Sequence, residues 1–439
     1  MRKQPLSRSL SFGSVGVDDP STGVVSQGRW RAMTANDVGM CSDGARPLVD
    51  FGDIRHTRPT IASCSITDRV AVLHAQFSPG SSKARMDCSS RCFDRIMVVN
   101  RFHFCFREMP LFSGQCKSKA RLDGKTALVT GSNSGIGKET VLDFYKRGAR
   151  VIMACRDINK AQTAKLEIED QCKDIKGVGF ILVEKCDLSS LESIRTCAQN
   201  VLDTERQLNI LVNNAGVMMC PKSQTADGFE MHFGSNHLGH FLLTLLLLPK
   251  IRNSTPARIV TVASKAHILS YGIDFKDLNY RHRTYYSMGA YAQSKLANII
   301  FSKELARKLK EHGIEGINTY SLHPGVIPTG LTRHLDETVV WGARFFTNLF
   351  MRVFNKTATQ GAQTTIYCAV DEKCANETGL YYSDCKAVTP AAAALDDEVA
   401  TKLWKVSAEL VGLQNYDPFT AIDSEIKECA QETTAFFEM

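Results

Sequence analysis

The stretch KTALVTGSNSGIGKETVLDFYKRGARVIMACR, residues 125–156, decides the fold class of this chain. It contains an apolar run that ends in glycine, a helix-like segment and a second apolar run. Strands that alternate with helices in this way are typical of a parallel sheet. Four more apolar runs, each preceded by a helix-like segment, continue the pattern at 180–188, 208–216, 258–264 and 317–325. The sequence therefore predicts an α/β fold, a doubly wound parallel sheet with helices on both faces.

The segment TGSNSGIG (130–137) lies where the first strand ends and the first helix begins. Gly131, Gly135 and Gly137 remove side chains where a backbone must turn sharply and approach a pyrophosphate. Their spacing is G-x-x-x-G-x-G, which differs from the common G-x-G-x-x-G pattern. Because a strand precedes the loop and a helix and a second strand follow it, we predict a Rossmann-like, nucleotide-binding sheet.

The end of the second strand indicates which nucleotide is bound. An NAD site places a carboxylate about 20 residues beyond the glycines, whereas an NADP site places a cation there for the 2′-phosphate. Here Cys155 occupies the place of the carboxylate, and Arg156 offers a planar fork that suits phosphate. In the alternative interpretation, Arg156 pairs with its neighbour Asp157. We predict NADP(H) as the cofactor.

The folded unit occupies only part of the 439 residues. Residues 1–120 hold 17 Lys and Arg against 10 Asp and Glu, whereas the remaining 319 residues hold 36 of each. The basic residues of the N-terminal part are scattered without interleaved aromatics, so we expect no nucleic-acid binding. We predict a basic, mostly disordered or atypical segment at 1–114, a nucleotide-binding domain at 115–413 and an acidic tail at 414–439.

The chain has 15 cysteines at irregular intervals. Several of them lie within apolar or motif-bearing stretches, which is typical of buried free thiols in a reducing compartment. Cys88 and Cys92 lack a second ligand pair at a suitable spacing. We therefore expect no metal site.

Two apolar segments are candidates for membrane contact, but neither reaches the roughly 18 apolar residues that a spanning helix needs. FLLTLLLL at 241–248 is closed by Pro249 and Lys250, and we predict a buried helix there. The segment 339–354 carries two arginines and repeats its aromatic residues at helical spacing. Two interpretations of it stay open: core packing, and a substrate lid that makes peripheral membrane contact.

Three motifs follow one another along the chain: TGSNSGIG (130–137), NNAG (213–216) and YAQSK (291–295). With these motifs on the predicted strands and helices, residues 115–413 resemble an NADP-binding domain of the short-chain dehydrogenase/reductase superfamily. Longer segments narrow the resemblance to the retinol dehydrogenase/retinal reductase group, the microsomal enzymes and their mitochondrial relative. They are GQCKSKARLDGKTALVTG, NNAGVMMCP, TADGFE, NHLGHFLLT, SKLANIIFSKELA, HPGV, YYSDCK and LWKVSAELVGL.

The resemblance implies roles for individual residues. The catalytic tetrad of the family corresponds to Asn236, Ser264, Tyr291 and Lys295, of which Ser264 and Tyr291 would also contact the substrate. Asp187 would contact the adenine, and the other cofactor-binding residues would line the phosphates, the ribose and the nicotinamide. The cofactor-binding set is Gly131, Ser132, Asn133, Ser134, Gly135, Ile136, Gly137, Arg156, Asp187, Leu188, Asn214, Ala215, Gly216, Tyr291, Lys295, Pro324, Gly325, Val326 and Thr329.

The spacing of Tyr291 and Lys295 also has a chemical reason that does not depend on the resemblance. At i,i+4 the two side chains lie on one face of a helix. A phenol with an ordinary pKa of about 10 exchanges protons poorly near pH 7, so it must be tuned. We expect the lysine, together with the oxidised nicotinamide, to lower that pKa. Tyr285 and Tyr286, just upstream, have no lysine four residues on and are excluded as candidates.

The other two members of the tetrad have alternative interpretations. Ser264 would hydrogen-bond the substrate oxygen at the end of its strand, or would serve only as a strand-end cap. Asn236 would organise a water that links Lys295 to solvent, or would serve only as a bracket inside a helix.

The sequence thus predicts an NADP(H)-dependent oxidoreductase acting on CH-OH donors, which interconverts a retinoid aldehyde and alcohol. Steroids and lipid-derived aldehydes are alternative substrates, and a cofactor-binding interaction protein without turnover is the alternative from another class. The resemblance implies an intracellular, endoplasmic reticulum-associated location. Mitochondrial and cytosolic locations stay open, because the segment 100–112, at the place of the relatives' anchor, is too short and too charged to span a membrane.

Overall fold

The computed structural model describes residues 114–325 and 356–421. Strands and helices alternate through most of these ranges. The strands are β1 (Thr126–Thr130), β2 (Arg150–Cys155), β3 (Phe180–Lys185), β4 (Ile210–Asn213), β5 (Ala257–Val262), β6 (Ile317–His323), β7 (Leu380–Ser383) and β8 (Lys386–Ala387). The helices are α1 (Gly135–Lys146), α2 (Ile158–Gln171), α3 (Leu191–Thr204), α4 (Gly239–Arg252), α5 (Ser287–Glu311), α6 (Ala358–Val370) and α7 (Asp397–Leu410). A π-helical turn, Phe233–Leu238, leads into α4.

All the strands form one sheet in the order β3-β2-β1-β4-β5-β6-β7-β8. Every neighbouring pair is parallel except β7 and β8, which are antiparallel. The strand order reverses between β1 and β4, and doubly wound sheets open a ligand-binding crevice at such a point, outside the carboxyl ends of the strands. The predicted fold class is confirmed. The six predicted strands are β1 to β6, and the structure adds β7 and β8.

Helices cover both faces of the sheet because the side chains of its strands alternate between the faces. Leu128 of β1 packs in a core with α3, α4, α5 and α7. Its neighbours Ala127 and Val129 pack in a second core with α1, α2 and α6. The central strands are buried on both sides, which is why they read as continuous apolar runs in the sequence.

The apolar segment 241–248 is part of α4, and every one of its side chains is buried. The prediction of a buried helix there is confirmed. In the described ranges, no helix has both the length and the apolar character needed to cross a membrane. The segment 339–354 lies outside the described residues.

The packed part of the domain extends past residue 413, where we predicted an acidic tail to begin. Phe419 and Ala421 are buried, and Phe419 stacks on Trp404 of α7 at a ring distance of 5.9 Å. Arg252 donates hydrogen bonds to the backbone oxygens of both Phe419 and Ala421. The boundary differs because the contacts of residues 414–421 are made with distant parts of the chain. Residues 1–113 and 422–439 lie outside the described residues.

The cysteines of the described residues are free thiols. Cys155, Cys186, Cys220 and Cys368 are among the cysteines of apolar or motif-bearing stretches, for which we predicted burial, and all four are buried. Cys116 and Cys385 are half-buried.

Candidate active site

A cleft of about 720 Å³ lies at the carboxyl ends of the central strands, at the point where the strand order reverses. It brings together most of the residues predicted from the sequence. Those that line it are Gly131, Asn133, Ser134, Gly135, Ile136, Gly137, Arg156, Asp187, Leu188, Asn214, Ala215, Gly216, Ser264, Tyr291, Lys295, Pro324 and Gly325.

Two predicted residues within the described ranges are not on the wall of the cleft. Ser132 and Asn236 are fully buried beside it. The Ser132 hydroxyl donates to the backbone oxygen of Val129 at 2.9 Å, so this side chain braces the loop from behind. Val326 and Thr329 lie outside the described residues, and their predicted contact with the nicotinamide stays a prediction.

The glycines allow the loop after β1 to pack against the loop after β4. Gly131 has φ +61°, a left-handed conformation that favours glycine. A Cβ at Gly137 would lie 2.6 Å from Nδ2 of Asn214 and 2.8 Å from the backbone oxygen of Gly131. Asn214 Nδ2 in turn donates to the oxygen of Thr130 at 2.8 Å. A side chain at position 137 would therefore force apart the two loops that form the floor of the cleft.

The first turn of α1 is suited to an anion. Ser134 precedes the helix in an extended conformation and makes no side-chain capping bond among the described residues. No acidic residue lies in the first turn of α1. This turn lines the cleft, so its backbone N–H groups and the positive end of the helix dipole are in the arrangement that binds phosphate. This turn and the glycine cradle fit a dinucleotide.

Arg156 is exposed on the cleft wall at the end of β2. Its neighbour Asp157 caps α2, accepting from the backbone N–H of Lys160 at 3.0 Å, and pairs with Lys160 Nζ at 3.0 Å. Within the described ranges, an ion pair between Arg156 and Asp157 is absent. The alternative interpretation of Arg156 as the partner of Asp157 therefore has no support in the structure.

Asp187 is held in place at the same end of the cleft. Its Oδ1 accepts from the backbone N–H of Ser189 at 3.0 Å and from the Ser189 hydroxyl at 2.7 Å. The backbone N–H of Asp187 donates to Ser193 Oγ at 3.0 Å. These bonds fix the Asp187 carboxylate just before α3, where Asp187 and Leu188 both line the cleft.

His240 connects the glycine loop to Asn236, a link that we did not predict. Thr130 Oγ1 lies 2.9 Å from the backbone nitrogens of both Asn214 and Ala215 and 2.9 Å from Nε2 of His240. Nδ1 of His240 lies 2.9 Å from the backbone oxygen of Asn236. Burial lowers the pKa of His240 to about 4, so the ring is neutral and Nδ1–H donates to Asn236. The spacing of four residues in NHLGH was the only sequence signal of this contact.

Asn236 lies in the π-helical turn and brackets the loop after β4. Its Oδ1 accepts from the backbone N–H of Val217 at 2.8 Å, and its Nδ2 donates to the backbone oxygen of Val217 at 3.0 Å. Nδ2 also donates to Ser294 Oγ at 3.0 Å. A Cβ at Gly216 would lie 3.3 Å from Asn236 Oδ1 and 3.4 Å from Lys295 Nζ, so the amide and the ammonium flank this glycine. The bracket is observed, and the water that Asn236 would organise stays a prediction.

Tyr291 and Lys295 lie one turn apart on α5 and are both buried. Lys295 Nζ is 5.8 Å from the centroid of the Tyr291 ring and donates to the backbone oxygen of Val262 at 2.9 Å. Burial lowers the pKa of Lys295 to about 8. Burial also raises the pKa of Tyr291 to about 12, and a hydrogen bond with Ser264 opposes that rise. Desolvation is thus the largest effect on the pKa of Tyr291, and Ser264 opposes it. The expectation that Lys295, together with the oxidised nicotinamide, lowers this pKa stays a prediction.

Ser264 combines the two roles that we considered. Its Oγ accepts from the backbone N–H of Ala266 at 3.1 Å and so caps the short 3₁₀ helix Lys265–Leu269 that follows β5. The same hydroxyl lies on the cleft wall, close enough to Tyr291 to oppose the rise in the pKa of its phenol. The cap thus holds the serine hydroxyl in the cleft beside Tyr291.

A buried cluster next to Tyr291 clamps the loop after β4 at Cys220. His232 Nε2 accepts from the backbone N–H of Cys220 at 3.3 Å, and His232 Nδ1 lies 2.8 Å from Oε1 of Glu230. The hydroxyls of Tyr285 and Ser287 lie 3.1 Å and 3.0 Å from the backbone oxygen of Cys220. Tyr285 is thus a structural residue, which agrees with its exclusion as a catalytic tyrosine.

Glu230 is the centre of this clamp, and replacing it by Gln is expected to lower the free energy of unfolding by about 2–4 kcal/mol. Its carboxylate accepts from His232 N at 3.0 Å and Phe233 N at 2.7 Å, as well as from the His232 ring. In the Gln side chain an NH₂ group replaces one of the two carboxylate oxygens, so a donor would face an N–H group that now donates to that oxygen. Urea denaturation measures the change, and exposed Glu409→Gln is the control. A loss no larger than that of the control would show that the clamp does not stabilise the domain.

The comparisons with known proteins agree with this geometry. The family model described as short chain dehydrogenase matches residues 125–275. Retinol dehydrogenase 11 of Mus musculus is 47% identical over 304 residues, which is 69% of this chain and 91% of the relative. The chain belongs to the short-chain dehydrogenase family. As a member, it is an oxidoreductase that acts on CH-OH donors with a nicotinamide dinucleotide, NAD or NADP.

Further relatives of this short-chain dehydrogenase have related names. Retinol dehydrogenase 12 of Homo sapiens is 47% identical over 325 residues, 72% of this chain and 98% of the relative. Retinol dehydrogenase 13 of Homo sapiens is 45% identical over 307 residues, 69% of this chain and 88% of the relative. Among solved structures, an uncharacterised protein from Mycobacterium paratuberculosis has a TM-score of 0.54 and 32% identity, covering 69% of this chain and 98% of that one. The predicted membership in the retinol dehydrogenase group of this family is confirmed.

Proposed function

We propose that this short-chain dehydrogenase interconverts a retinoid aldehyde and its alcohol with NADP(H). The observation that carries the proposal is the meeting of Ser264, Tyr291 and Lys295 in the dinucleotide cleft of a chain that is 47% identical to retinol dehydrogenases. Such a constellation of hydroxyl, phenol and ammonium at a hydride-transfer site supports carbonyl reduction.

In the direction of reduction, NADPH held by the glycine loop and Arg156 would supply a hydride to the carbonyl carbon. Ser264 holds the carbonyl oxygen by a hydrogen bond, and Tyr291 donates its proton to that oxygen as the negative charge develops. This transfer leaves Tyr291 as a tyrosinate beside the alcohol product, and the tyrosinate then takes a proton from solvent. Lys295 stabilises the tyrosinate by its charge. In alcohol oxidation the same groups act in reverse.

Apolar side chains on the wall of the cleft support a lipophilic substrate. Val217, Met218 and Met231 are among the residues that line it. Unbranched thioethers adapt to irregular apolar ligands, and an apolar wall with a few polar anchors is typical of sites for such molecules. A retinoid fits this description, and steroids and lipid-derived aldehydes share it.

A substrate panel tests the proposal on the purified full-length chain. All-trans retinal, a short aliphatic aldehyde and a steroid ketone are each supplied with NADPH and with NADH. We expect the highest kcat/KM with retinal and NADPH. Turnover of the steroid alone would overturn the substrate class. No cofactor oxidation with any compound would favour the non-catalytic interaction protein. The endoplasmic reticulum location implied by the resemblance belongs to the same proposal, and cell fractionation tests it.

Arg156 gives the proposal its choice of NADP(H), so Arg156→Ala is expected to raise the Kd of NADPH about 10- to 100-fold and to leave that of NADH nearly unchanged. A charge-assisted hydrogen bond of Arg to a phosphate contributes about 1.5–3 kcal/mol, which corresponds to this range. Cofactor fluorescence measures both constants.

The matched control for Arg156 is Arg206→Ala. Arg206 is exposed and lies before the amino end of β4, at the opposite edge of the sheet from the cleft. Equal affinities of wild type and Arg156→Ala for NADPH would contradict the assignment of the 2′-phosphate to Arg156.

A further inference from the structure

His323 is the last residue of β6 and lines the cleft directly before Pro324 and Gly325. Its side chain is 9% exposed. Because Leu322 of β6 is in register with Val262 of β5, His323 lies beside the chain segment that continues to Ser264. It is a buried polar group on the wall of the site.

The hydrogen bonding of His323 fixes its tautomer. The backbone N–H of Lys265 donates to Nδ1 of His323 at 3.1 Å, so this nitrogen carries no proton. Burial lowers the pKa of His323 to about 3, the positive charge of Lys356 lowers it further and Asp384 opposes the effect. The ring is therefore neutral at physiological pH, and its proton is on Nε2.

The other histidines around the site use both ring nitrogens in contacts with the protein. His267 places Nδ1 2.8 Å from the backbone oxygen of Ser264 and Nε2 3.0 Å from the backbone nitrogen of Ala391. His240 likewise uses both ring nitrogens. Across the described ranges, the bond to Lys265 is the one hydrogen bond of His323. Because His323 lines the cleft, its Nε2–H is placed to meet an acceptor of the bound ligand, and such a bond avoids the cost of an unpaired buried N–H, about 1–3 kcal/mol.

The position of His323 in the sheet indicates which part of the ligand it meets. Strands β4 and β5 separate β6 from β1, whose loop carries the phosphate-binding glycines. Three strand spacings of about 4.8 Å put His323 roughly 14 Å from that loop across the sheet. Ser264 and its partner Tyr291 are on the neighbouring wall, so His323 is at the end of the cleft where the reaction takes place.

We infer that the Nε2–H of His323 donates a hydrogen bond to an oxygen on the nicotinamide half of the bound dinucleotide. This assignment rests on the proposed function, because it requires the dinucleotide to extend from Arg156 to Ser264. It makes His323 a cofactor-binding residue that orients the reacting end of the cofactor.

Two amide substitutions separate the two nitrogens of the ring. In His323→Asn the amide oxygen takes the place of Nδ1, keeps the bond from Lys265 and removes the distal donor. In His323→Gln the longer side chain brings its amide N–H to the place of Nε2 and removes the proximal acceptor. The Kd of NADPH is compared with that of 2′-phospho-ADP-ribose, which lacks the nicotinamide.

We expect His323→Asn to raise the Kd of NADPH about fivefold, the factor of a typical net hydrogen bond, and to leave that of 2′-phospho-ADP-ribose unchanged. His323→Gln should bind NADPH within about twofold of wild type. An unchanged NADPH affinity in His323→Asn, or an equal loss for both ligands, would overturn the assignment. A higher KM for the aldehyde at unchanged NADPH affinity would also overturn it, because the donor would then serve the substrate.

Wild-type binding separates this assignment from the proposed function. If the wild-type protein binds neither NADPH nor 2′-phospho-ADP-ribose, both the assignment of His323 and the proposed function are wrong. If the wild-type protein binds NADPH normally, the ratios of the variants' Kd values to the wild-type Kd decide the assignment.

A measurement on the wild-type protein tests the assignment in case His323→Asn does not fold. The proton resonance of His323 Nε2–H should move downfield on addition of NADPH and stay in place with 2′-phospho-ADP-ribose, and the absence of a difference between the two would overturn the assignment.

Discussion

Replacing Tyr291 by Phe is expected to lower kcat/KM for retinal reduction by about 10²- to 10⁴-fold, the range that a positioned acid–base group contributes. The phenol meets Ser264 on the cleft wall, and its hydroxyl is the group placed to protonate the substrate oxygen. Burial raises the pKa of Tyr291 to about 12, so the residue holds its proton at neutral pH and serves as a donor. Phe keeps the ring and removes only that donor.

The affinity for NADPH and the thermal midpoint of Tyr291→Phe should stay close to those of wild type. The matched control is Tyr286→Phe, because Tyr286 precedes the same helix and is 50% exposed. Steady-state kinetics with retinal and a fluorescence titration of NADPH separate chemistry from binding. Turnover of Tyr291→Phe at the rate of Tyr286→Phe would remove Tyr291 from the mechanism. A cellular effect that persists in Tyr291→Phe while NADPH still binds would favour a scaffold role.

The fold could be predicted from the sequence because its strongest signals are local. The glycine loop, the helix after it and the central strands each fit within about a dozen residues. β7 and β8 were not predicted, since β7 has four residues and β8 has two, too few to show a hydrophobic period. Residues 414–421 were assigned to a tail because the segment 414–439 as a whole is acidic, whereas Phe419 packs on a tryptophan that only the folded chain brings near.

The candidate site could be predicted in its residue types but not in its electrostatics. The spacing of Tyr291 and Lys295 places them on one helix face, yet it carries no information about how deeply the helix is buried. Burial decides both pKa values, raising that of Tyr291 and lowering that of Lys295. The histidines at 240 and 323 were missed for a related reason. A lone histidine in an apolar segment gives no sign of which backbone groups the fold will bring to its ring.

Replacing Lys295 by Met is expected to lower kcat/KM by at least about 10²-fold and, at pH 7, to raise the free energy of unfolding by about 1–3 kcal/mol. The loss of activity follows from removing the charge beside Tyr291. The gain in stability follows from burial, which lowers the pKa of Lys295 to about 8 from the ordinary value near 10.4. Loss of the bond to the Val262 oxygen offsets part of this gain.

The pH dependence of stability distinguishes this explanation from a simple packing effect. Between pH 8 and about 10.4 the unfolded chain holds the lysine proton more often than the folded chain does, so wild-type stability rises with pH across this window. Below pH 8 the penalty for burying the charge is fully present. The advantage of Lys295→Met in urea denaturation should therefore be constant near pH 7 and shrink toward pH 10.

Lys310→Met is the matched control, because Lys310 is an exposed lysine near the end of the same helix. Its stability difference from wild type should show no such pH window. A Lys295→Met variant that is less stable than wild type at pH 7 would show that the ammonium contributes more through its bond to Val262 than it loses by burial. The expected combination, lower activity with higher stability, would instead mean that the fold retains a destabilising buried charge because the reaction at Tyr291 requires it.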